Sequence, residues 1–251
     1  LRALGDSRAA LLAQLAGGLA NAALDALFLA LFANGIAAVA WATLFSQTIA
    51  ALAVLRRLAR PDTGGALRLR ALRPDGAVMK KILALGVPAG MQSLVITLSN
   101  VIAQSRINTL GEDAIAAFTA YFKVELVIYL PIMAFGQAVM TFAGQNSGAG
   151  NQARVRSGTR RCLIAGTALT LALSALALLL GRPLFSVFSD DPAVIAVGRS
   201  IIGVTFPFYF IYLILQVLGD SLRGTGRVRG PMLIVMSCIC IIRTALLFAV
   251  V

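Results

Sequence analysis

One acidic residue, Asp25, lies in the middle of a long apolar stretch of the sequence. Asn21 comes four residues earlier, so in a helix the two side chains share one face. A carboxylate and an amide oxygen stacked in this way can bind a small cation or take up a proton. An ionisable group inside a membrane helix costs about 2.5–3.5 kcal/mol on insertion scales, so its presence needs a reason. We interpret Asn21 and Asp25 as a candidate cation-coupling site; the alternative is that Asp25 only hydrogen-bonds to a neighbouring helix.

The next apolar stretch contributes a third oxygen, that of Thr43. Counting residues from the turn between the two stretches places Thr43 within about one helical turn of the depth of Asp25. We predict that Thr43 joins Asn21 and Asp25 in one site, where sodium is the metal that could bind. No other metal site is predicted, because the chain has no His and its three Cys lack the spacing of a zinc site.

A second group of polar and aromatic residues falls later in the chain. Aromatic rings attract organic cations through cation–π contacts, and Glu125 could bind a cationic substrate. Lys123 is two residues from Glu125 and points to a different face of the helix. The candidate lining of a substrate cavity consists of Gln92, Asn100, Lys123, Glu125, Phe206, Tyr209 and Tyr212. The alternative is that these side chains pack helices against one another.

Helices that cross a membrane must position all these residues. The 251 residues are 59% hydrophobic and 13% charged, whereas soluble domains are about 45–50% apolar and about 25% charged. A membrane helix needs about 20 mostly apolar residues. Seven stretches have this character, at 9–32, 36–55, 82–106, 114–142, 162–180, 194–218 and 231–251. They do not alternate as barrel strands do, so we predict an all-α polytopic membrane protein.

Basic residues are concentrated in alternate connections between these stretches. The formal net charge is +12, and 17 of the 22 Lys and Arg lie before the first stretch or after the second, fourth and sixth. This alternation is the positive-inside pattern, which predicts that the basic connections are cytoplasmic, in a plasma or inner membrane. The charge surplus is therefore an orientation signal, and we expect no nucleic-acid partner.

The longest connection, 58–80, is rich in Pro and Gly, which is typical of a linker. We assign residues 1–57 to the end of an N-terminal lobe, 58–80 to a cytoplasmic linker and 81–251 to a C-terminal lobe. A repeated motif also indicates two lobes, because L-R-x-x-G-x-x-R begins at Leu1 and again at Leu222. Parallel repeats of this type build pseudo-symmetric halves around a transport path.

Several motifs together resemble the MATE (multidrug and toxic compound extrusion) transporters. They are G-V-P-A-G at 86–90, A-F-G-Q-A at 134–138, G-Q-N-S-G-A-G at 144–150 and S-L-R-G-T-G at 221–226. The resemblance covers essentially the whole chain. It implies twelve helices in two six-helix lobes, of which this chain would supply the fifth to the eleventh. It also implies export of amphipathic, often cationic, compounds by alternating access, in exchange for an inward-moving proton or sodium ion.

The resemblance further implies that Asn21, Asp25 and Thr43 match the N-lobe cation site of one branch of the family, which an Asp of the first helix completes. Another branch has coupling carboxylates in the second lobe, but the matching positions here are Ile96 and Tyr212. We expect no cofactor apart from the coupling ion, H⁺ or Na⁺. We also expect a small amphipathic substrate and a monomer in the lipid bilayer. Both ends look interrupted, so we expect a longer protein.

Two other functions stay open. A lipid-linked oligosaccharide flippase of the same superfamily would need a cationic cavity, to which Lys123 and Arg243 could contribute. A non-transporting membrane scaffold has no need of a buried Asn21 and Asp25. We do not predict an enzyme, because the sequence offers no His and no paired acid and nucleophile.

Overall fold

The structure is a computed structural model that describes residues 1–32, 35–60, 74–243 and 245. The chain divides into two compact units, Leu1–Asp75 and Gly76–Val251. The boundary lies within the predicted linker 58–80, but helix begins already at Gly76, so the last residues of that linker prediction are helical. Residues 61–73 lie outside the described residues, and the assignment of the units to two transporter lobes stays a prediction.

Nine α-helices make up most of the described chain. They are α1 (Ser7–Leu31), α2 (Gly35–Leu58), α3 (Gly76–Ile107), α4 (Glu112–Gly148), α5 (Gln152–Leu179), α6 (Gly181–Ser186), α7 (Pro192–Thr205), α8 (Tyr209–Gly224) and α9 (Arg229–Ser237). Six helices, counting α7 and α8 together, are long and apolar enough to cross a membrane. The predicted all-α polytopic class is thus confirmed. The seventh predicted stretch, 231–251, extends beyond the described residues.

In the first unit, α1 and α2 pack as an antiparallel pair through small residues. Every fourth residue of one α2 face is buried, and these residues are Ala38, Ala42, Ser46 and Ala50. Gly17 of α1 lies against the carbonyl oxygen of Ser46 and the Cβ of Ala50. Small residues at a helix interface let two backbones approach closely, which is how membrane helices associate without a hydrophobic driving force.

The close approach at Gly17 gives a paired prediction. A Cβ on Gly17 would lie 2.9 Å from the Ala50 Cβ, whereas one on Gly18 would meet nothing within 4 Å. We expect Gly17→Ala to destabilise the helix pair by about 1–3 kcal/mol through overpacking. Gly18→Ala should be neutral or stabilising by about 0.5–1 kcal/mol, because alanine is the better helix former. Thermal unfolding of the full-length protein in detergent compares them, and equal midpoints would contradict this packing.

Asp6 caps α1 and links its start to the end of α2. Its Oδ1 accepts a hydrogen bond from the Ala9 amide at 3.0 Å, and its Oδ2 accepts one from Arg57 Nε at 2.8 Å. The Ala9 hydrogen bond, and after it the Arg57 one, hold the pKa of the Asp6 carboxyl below its ordinary value of 3.8. The associated stability is therefore fully present above pH 3.8 and is lost as the pH falls through the lowered pKa.

In the second unit, α4 is central and packs against α5, α7 and α8. The core between these helices is built from large side chains such as Ile128, Ile132 and Leu213, none of which is exposed. Glycine allows α4 and α8 to come close, because a Cβ on Gly224 would collide with the Met140 carbonyl oxygen.

A proline inside a membrane-length helix does not always interrupt it. Pro88 and Pro131 lie inside α3 and α4, which continue through them. Pro207 has a larger effect, because a single 3₁₀ turn, Phe206–Phe208, separates α7 from α8 there. Proline has no N–H to donate and its ring crowds the preceding turn.

The two copies of the repeated motif have the same backbone conformation. Gly5 has a φ of 84° and Gly226 a φ of 85°, which is the left-handed region that favours glycine. In the first copy, the Gly5 amide donates to the Arg2 carbonyl. In the second, the Gly226 amide donates to the Arg223 carbonyl. The sequence repeat is therefore also a structural repeat of a turn that leads into a helix, α1 in one copy and α9 in the other.

Candidate functional site

Asn21 and Asp25 lie on one face of α1, as predicted, and both are half-buried. Asn21 Nδ2 and Asp25 Oδ1 are shielded from solvent and have no hydrogen-bond partner among the described residues. Buried polar atoms are nearly always hydrogen-bonded, so each exception calls for an explanation. Two such atoms, one turn apart on a membrane helix, mark this face of α1 as a candidate site.

The part of α2 that faces these atoms has few polar groups that could bind them. Gly17 lies opposite Ser46 and Ala50, and further along the pair the rings of Phe28 and Phe45 have centroids 6.0 Å apart. This antiparallel register places the apolar Ala42 near the depth of Asp25. The buried Ser46 hydroxyl donates to a carbonyl of its own helix at 2.9 Å. A ligand of Asp25 must therefore be an ion, a proton or a group from beyond this helix pair.

Thr43 lies on the exposed side of α2. Its side chain is exposed, and its hydroxyl donates to the Val39 carbonyl of its own helix at 2.9 Å. Thr43 follows Ala42 directly, so it points about 100° around the helix from the buried face. The depth expected from the sequence is compatible with the observed register, but that depth carries no information about the rotation of α2. The role of Thr43 in ion binding stays a prediction.

A second polar cluster joins α4 to α8. The Tyr209 hydroxyl donates to Glu125 Oε1, and the hydroxyl oxygens of Tyr209 and Tyr121 are 3.2 Å apart. Tyr129 and Tyr212 stack with ring centroids 6.1 Å apart. The structure thus brings together three predicted residues, Glu125, Tyr209 and Tyr212. Tyr121 and Tyr129 were missed, although their spacing of four residues on either side of Glu125 is a helical signal. Here a half-buried carboxylate lies among tyrosine rings, where a cation would be favoured.

The remaining cavity candidates are placed elsewhere. Phe206 is fully buried behind Tyr209, with ring centroids 5.3 Å apart, so in this structure it packs the core and lines no open cavity. Lys123 is exposed, on a different face of α4 from Glu125. Asn100 is exposed and accepts a hydrogen bond from Arg243 at 2.8 Å. An aromatic run or a polar stripe in the sequence does not reveal which members face inward, because that depends on neighbouring helices.

Gln92 belongs to a third cluster, centred on Asp220, which the sequence interpretation did not include. Asp220 is 4% exposed, and its Oδ1 accepts from Arg223 Nη1 at 2.7 Å. Gln216 Nε2 donates to Asp220 Oδ2 at 2.8 Å, and Arg223 Nη2 donates to Gln92 Oε1 at 2.7 Å. Gly136 of α4 leaves the space for Asp220, since a Cβ there would collide with its carboxylate.

One sequence feature could have predicted this cluster. Asp220 and Arg223 are three residues apart, which suits an ion pair on one helix face. The predicted apolar stretch ended at 218, which left Asp220 in a loop, whereas α8 continues to Gly224. Among the described residues, no three His, Cys, Asp or Glu side chains come together in a way that could hold a metal ion.

These helices and their buried polar clusters define a multi-pass α-helical membrane protein. The MatE family model matches residues 88–248. The chain therefore belongs to the MatE family, which confirms the resemblance seen in its motifs.

The chain is similar to named members of the family. It is 33% identical over 145 residues to the probable multidrug resistance protein YpnP of Bacillus subtilis. The matched region covers 58% of this chain and 33% of that protein. It is 25% identical over 172 residues to the probable multidrug resistance protein NorM of Thermotoga maritima, covering 68% of this chain and 37% of that protein. These matches span about a third of each relative's length.

The fold is also similar to that of solved structures. A crystal structure of MATE in the straight conformation matches with a TM-score of 0.83 and 21% identity, covering 94% of this chain and 53% of that chain. Another, described as an outward-facing multidrug resistance MATE family transporter, matches with the same TM-score and 20% identity. At this identity the likeness establishes the fold, and the chain spans about half of these proteins.

Proposed function

We propose that this chain forms part of a transporter that exports amphipathic, often cationic, compounds in exchange for protons or sodium ions. Membership of the MatE family supports the proposal, as do the relatives named as multidrug resistance proteins. The observation that carries it is the shielded Asp25 Oδ1, which has no hydrogen-bond partner among the described residues. A buried polar group without a partner is costly, and a site that repeatedly gains and loses an ion explains why it persists.

In this mechanism Asp25 is the coupling group. A proton on its carboxylate, or a sodium ion between it and the Asn21 amide oxygen, would neutralise a charge that a membrane helix holds at a cost of about 2.5–3.5 kcal/mol. Occupancy of the site would then alter how α1 packs against its neighbours. Since both side chains are on one face of α1, the ion would act on a single helix.

The Glu125 cluster is the proposed contact for the substrate. Glu125 supplies a negative charge, and the rings of Tyr209 and Tyr212 supply faces that favour organic cations. We propose that the transporter acts as a monomer in a plasma or inner membrane, with the basic connections on the cytoplasmic side. The flippase alternative gains no support from its two basic residues, because Lys123 is exposed and Arg243 donates to Asn100.

Transport by the intact protein tests the proposal. A pH gradient and a sodium gradient are imposed separately on proteoliposomes that contain the full-length protein. One of the two should drive a fluorescent organic cation against its own gradient. The gradient that drives movement identifies the coupling ion. Movement that is independent of both gradients would contradict coupled antiport, and absence of movement of any amphipathic cation would contradict the substrate class.

The substrate contact gives a separate prediction. Glu125→Gln should weaken the apparent affinity for a cationic substrate roughly tenfold, since hydrogen bonds to charged groups contribute about 1.5–3 kcal/mol, and should leave a neutral substrate unaffected. Glu112→Gln is the matched control, because it makes the same chemical change at the exposed start of the same helix. Concentration dependence of export measures both. An equal loss for the neutral substrate, or for the control variant, would exclude this contact.

A further inference from the structure

A groove at one end of the second unit is unrelated to the clusters described above. It has a volume of about 680 Å³ and lies where α4 ends, α5 begins and α8 ends. Its basic lining residues are Arg156, Arg160 and Arg227. Its apolar lining residues are Val155, Leu163, Leu218 and Leu222. The groove therefore combines positive charge with an apolar surface.

The basic and the apolar residues occupy different positions along α5 and α8. Arg156 and Arg160 are one turn apart and precede the apolar part of α5, while Arg227 follows the turn that ends α8. All three are exposed, and they lie at the end of the unit where the apolar run of α5 begins. Leu163 follows the two arginines in α5, and Leu218 lies in α8 before the turn that leads to Arg227. Charged groups next to an apolar wall match the headgroup and acyl chain of a lipid.

The charge of the groove is uncompensated. The residues that line it include no Asp and no Glu. No ion pair within the described ranges involves Arg156, Arg160 or Arg227. Guanidinium groups bind phosphate through paired N–H donors. The Thr159 hydroxyl donates to the Val155 carbonyl at 2.9 Å, so in its 2.8 Å contact with Ser221 the Ser221 hydroxyl is the donor. Neither hydroxyl then has a hydrogen left for an anion, and the arginines are the charged donors of the groove.

We propose that this groove binds an anionic phospholipid, with the headgroup phosphate between Arg156, Arg160 and Arg227 and an acyl chain along the leucines. The occupant is a lipid because the charged and apolar residues line one groove, and because Arg156 and Arg160 directly precede the apolar run of a membrane-length helix. A free phosphate would use the arginines but not the apolar wall. This inference concerns the second unit alone and does not depend on ion coupling at Asp25.

Native mass spectrometry of the full-length protein in detergent tests the site, with phosphatidylglycerol and phosphatidylcholine as probes. The unaltered protein should retain phosphatidylglycerol at least tenfold better than phosphatidylcholine. A basic residue near a membrane surface changes lipid affinity about fivefold, so the double variant Arg156→Gln with Arg160→Gln should bind phosphatidylglycerol on the order of 25-fold more weakly. The matched control is Arg154→Gln with Arg161→Gln, which removes the same charge from α5 outside the groove and should change binding less than twofold.

Three outcomes would overturn the proposal. Equal weakening in the control pair would mean that binding follows the general charge of α5. Equal retention of the two lipids by the unaltered protein would exclude recognition of the anionic headgroup, and this arm needs no variant to fold. Complete displacement of phosphatidylglycerol by millimolar inorganic phosphate would show that the groove takes a free anion. Size-exclusion elution of each variant checks that the protein is intact.

Discussion

The full-length protein carrying Asp25→Asn is expected to lose cation-driven export and to keep its thermal stability. Asparagine has nearly the same shape as aspartate but cannot take up a proton or supply a negative charge to sodium. Asp25 Oδ1 has no hydrogen-bond partner among the described residues, so the substitution breaks no hydrogen bond of that atom. It also removes an ionisable group that is costly in a membrane helix. Export should fall to the level of vesicles without the protein, while the thermal midpoint stays equal or rises.

Asp6→Asn is the matched control for this prediction. It makes the same chemical change at the start of the same helix, outside the apolar span, and asparagine is as good an N-cap residue as aspartate. Export by this variant should be unchanged. Unimpaired export by Asp25→Asn would rule out the coupling role. A loss of export together with an equal loss of thermal stability would instead assign Asp25 a structural role between helices.

Arg223→Gln is expected to lower the free energy of unfolding by about 3 kcal/mol, toward the lower end of the range for breaking a buried ion pair. The Asp220 side chain is 6% exposed and would lose its cationic partner, whereas the Arg223 side chain keeps 24% exposure. For the same reason Asp220→Asn should cost less, because the remaining arginine can reach water or headgroups. Denaturant titration of the full-length protein in mixed micelles measures both.

Two further variants complete this experiment. Arg229→Gln removes an exposed arginine shortly after α8 and should change stability by less than about 0.5 kcal/mol. The double variant of Asp220→Asn with Arg223→Gln should recover much of the loss, since no unpaired charge then remains buried. An Asp220→Asn cost equal to or above that of Arg223→Gln would show that the carboxylate is not the member that depends on its partner.

Much of the fold could be predicted from the sequence, because hydropathy over about 20 residues is a local property. The six described spans coincide with the predicted stretches, although their ends differ. Thus α5 begins at Gln152, ten residues before the apolar run, because a helix can continue past the edge of the hydrocarbon region. The turns at Gly5 and Gly226 could also be expected, since a left-handed conformation favours glycine.

The candidate sites were predicted less completely. Asn21 and Asp25 share a face because they are four residues apart on one helix, which needs no tertiary information. Thr43 required the rotation of α2 relative to α1, and the structure turns it outward. The Asp220 cluster required knowledge that Gln92 of a distant helix reaches Arg223, 131 residues away in sequence. No single-helix pattern contains that contact.

The sequence by itself determined which segments are helical, that they suit a membrane, and that Asp25 is an acidic residue set within one of them. Only the tertiary structure decided which side of each helix is covered. That choice depends on where small residues let two backbones meet, as Gly17 and Ala50 do. A helix buries about one face and exposes the rest, so a rotation of one residue, about 100°, moves a side chain from the interface to the outside. Ala42 and Thr43 are neighbours in the chain, yet Ala42 is buried and Thr43 is exposed.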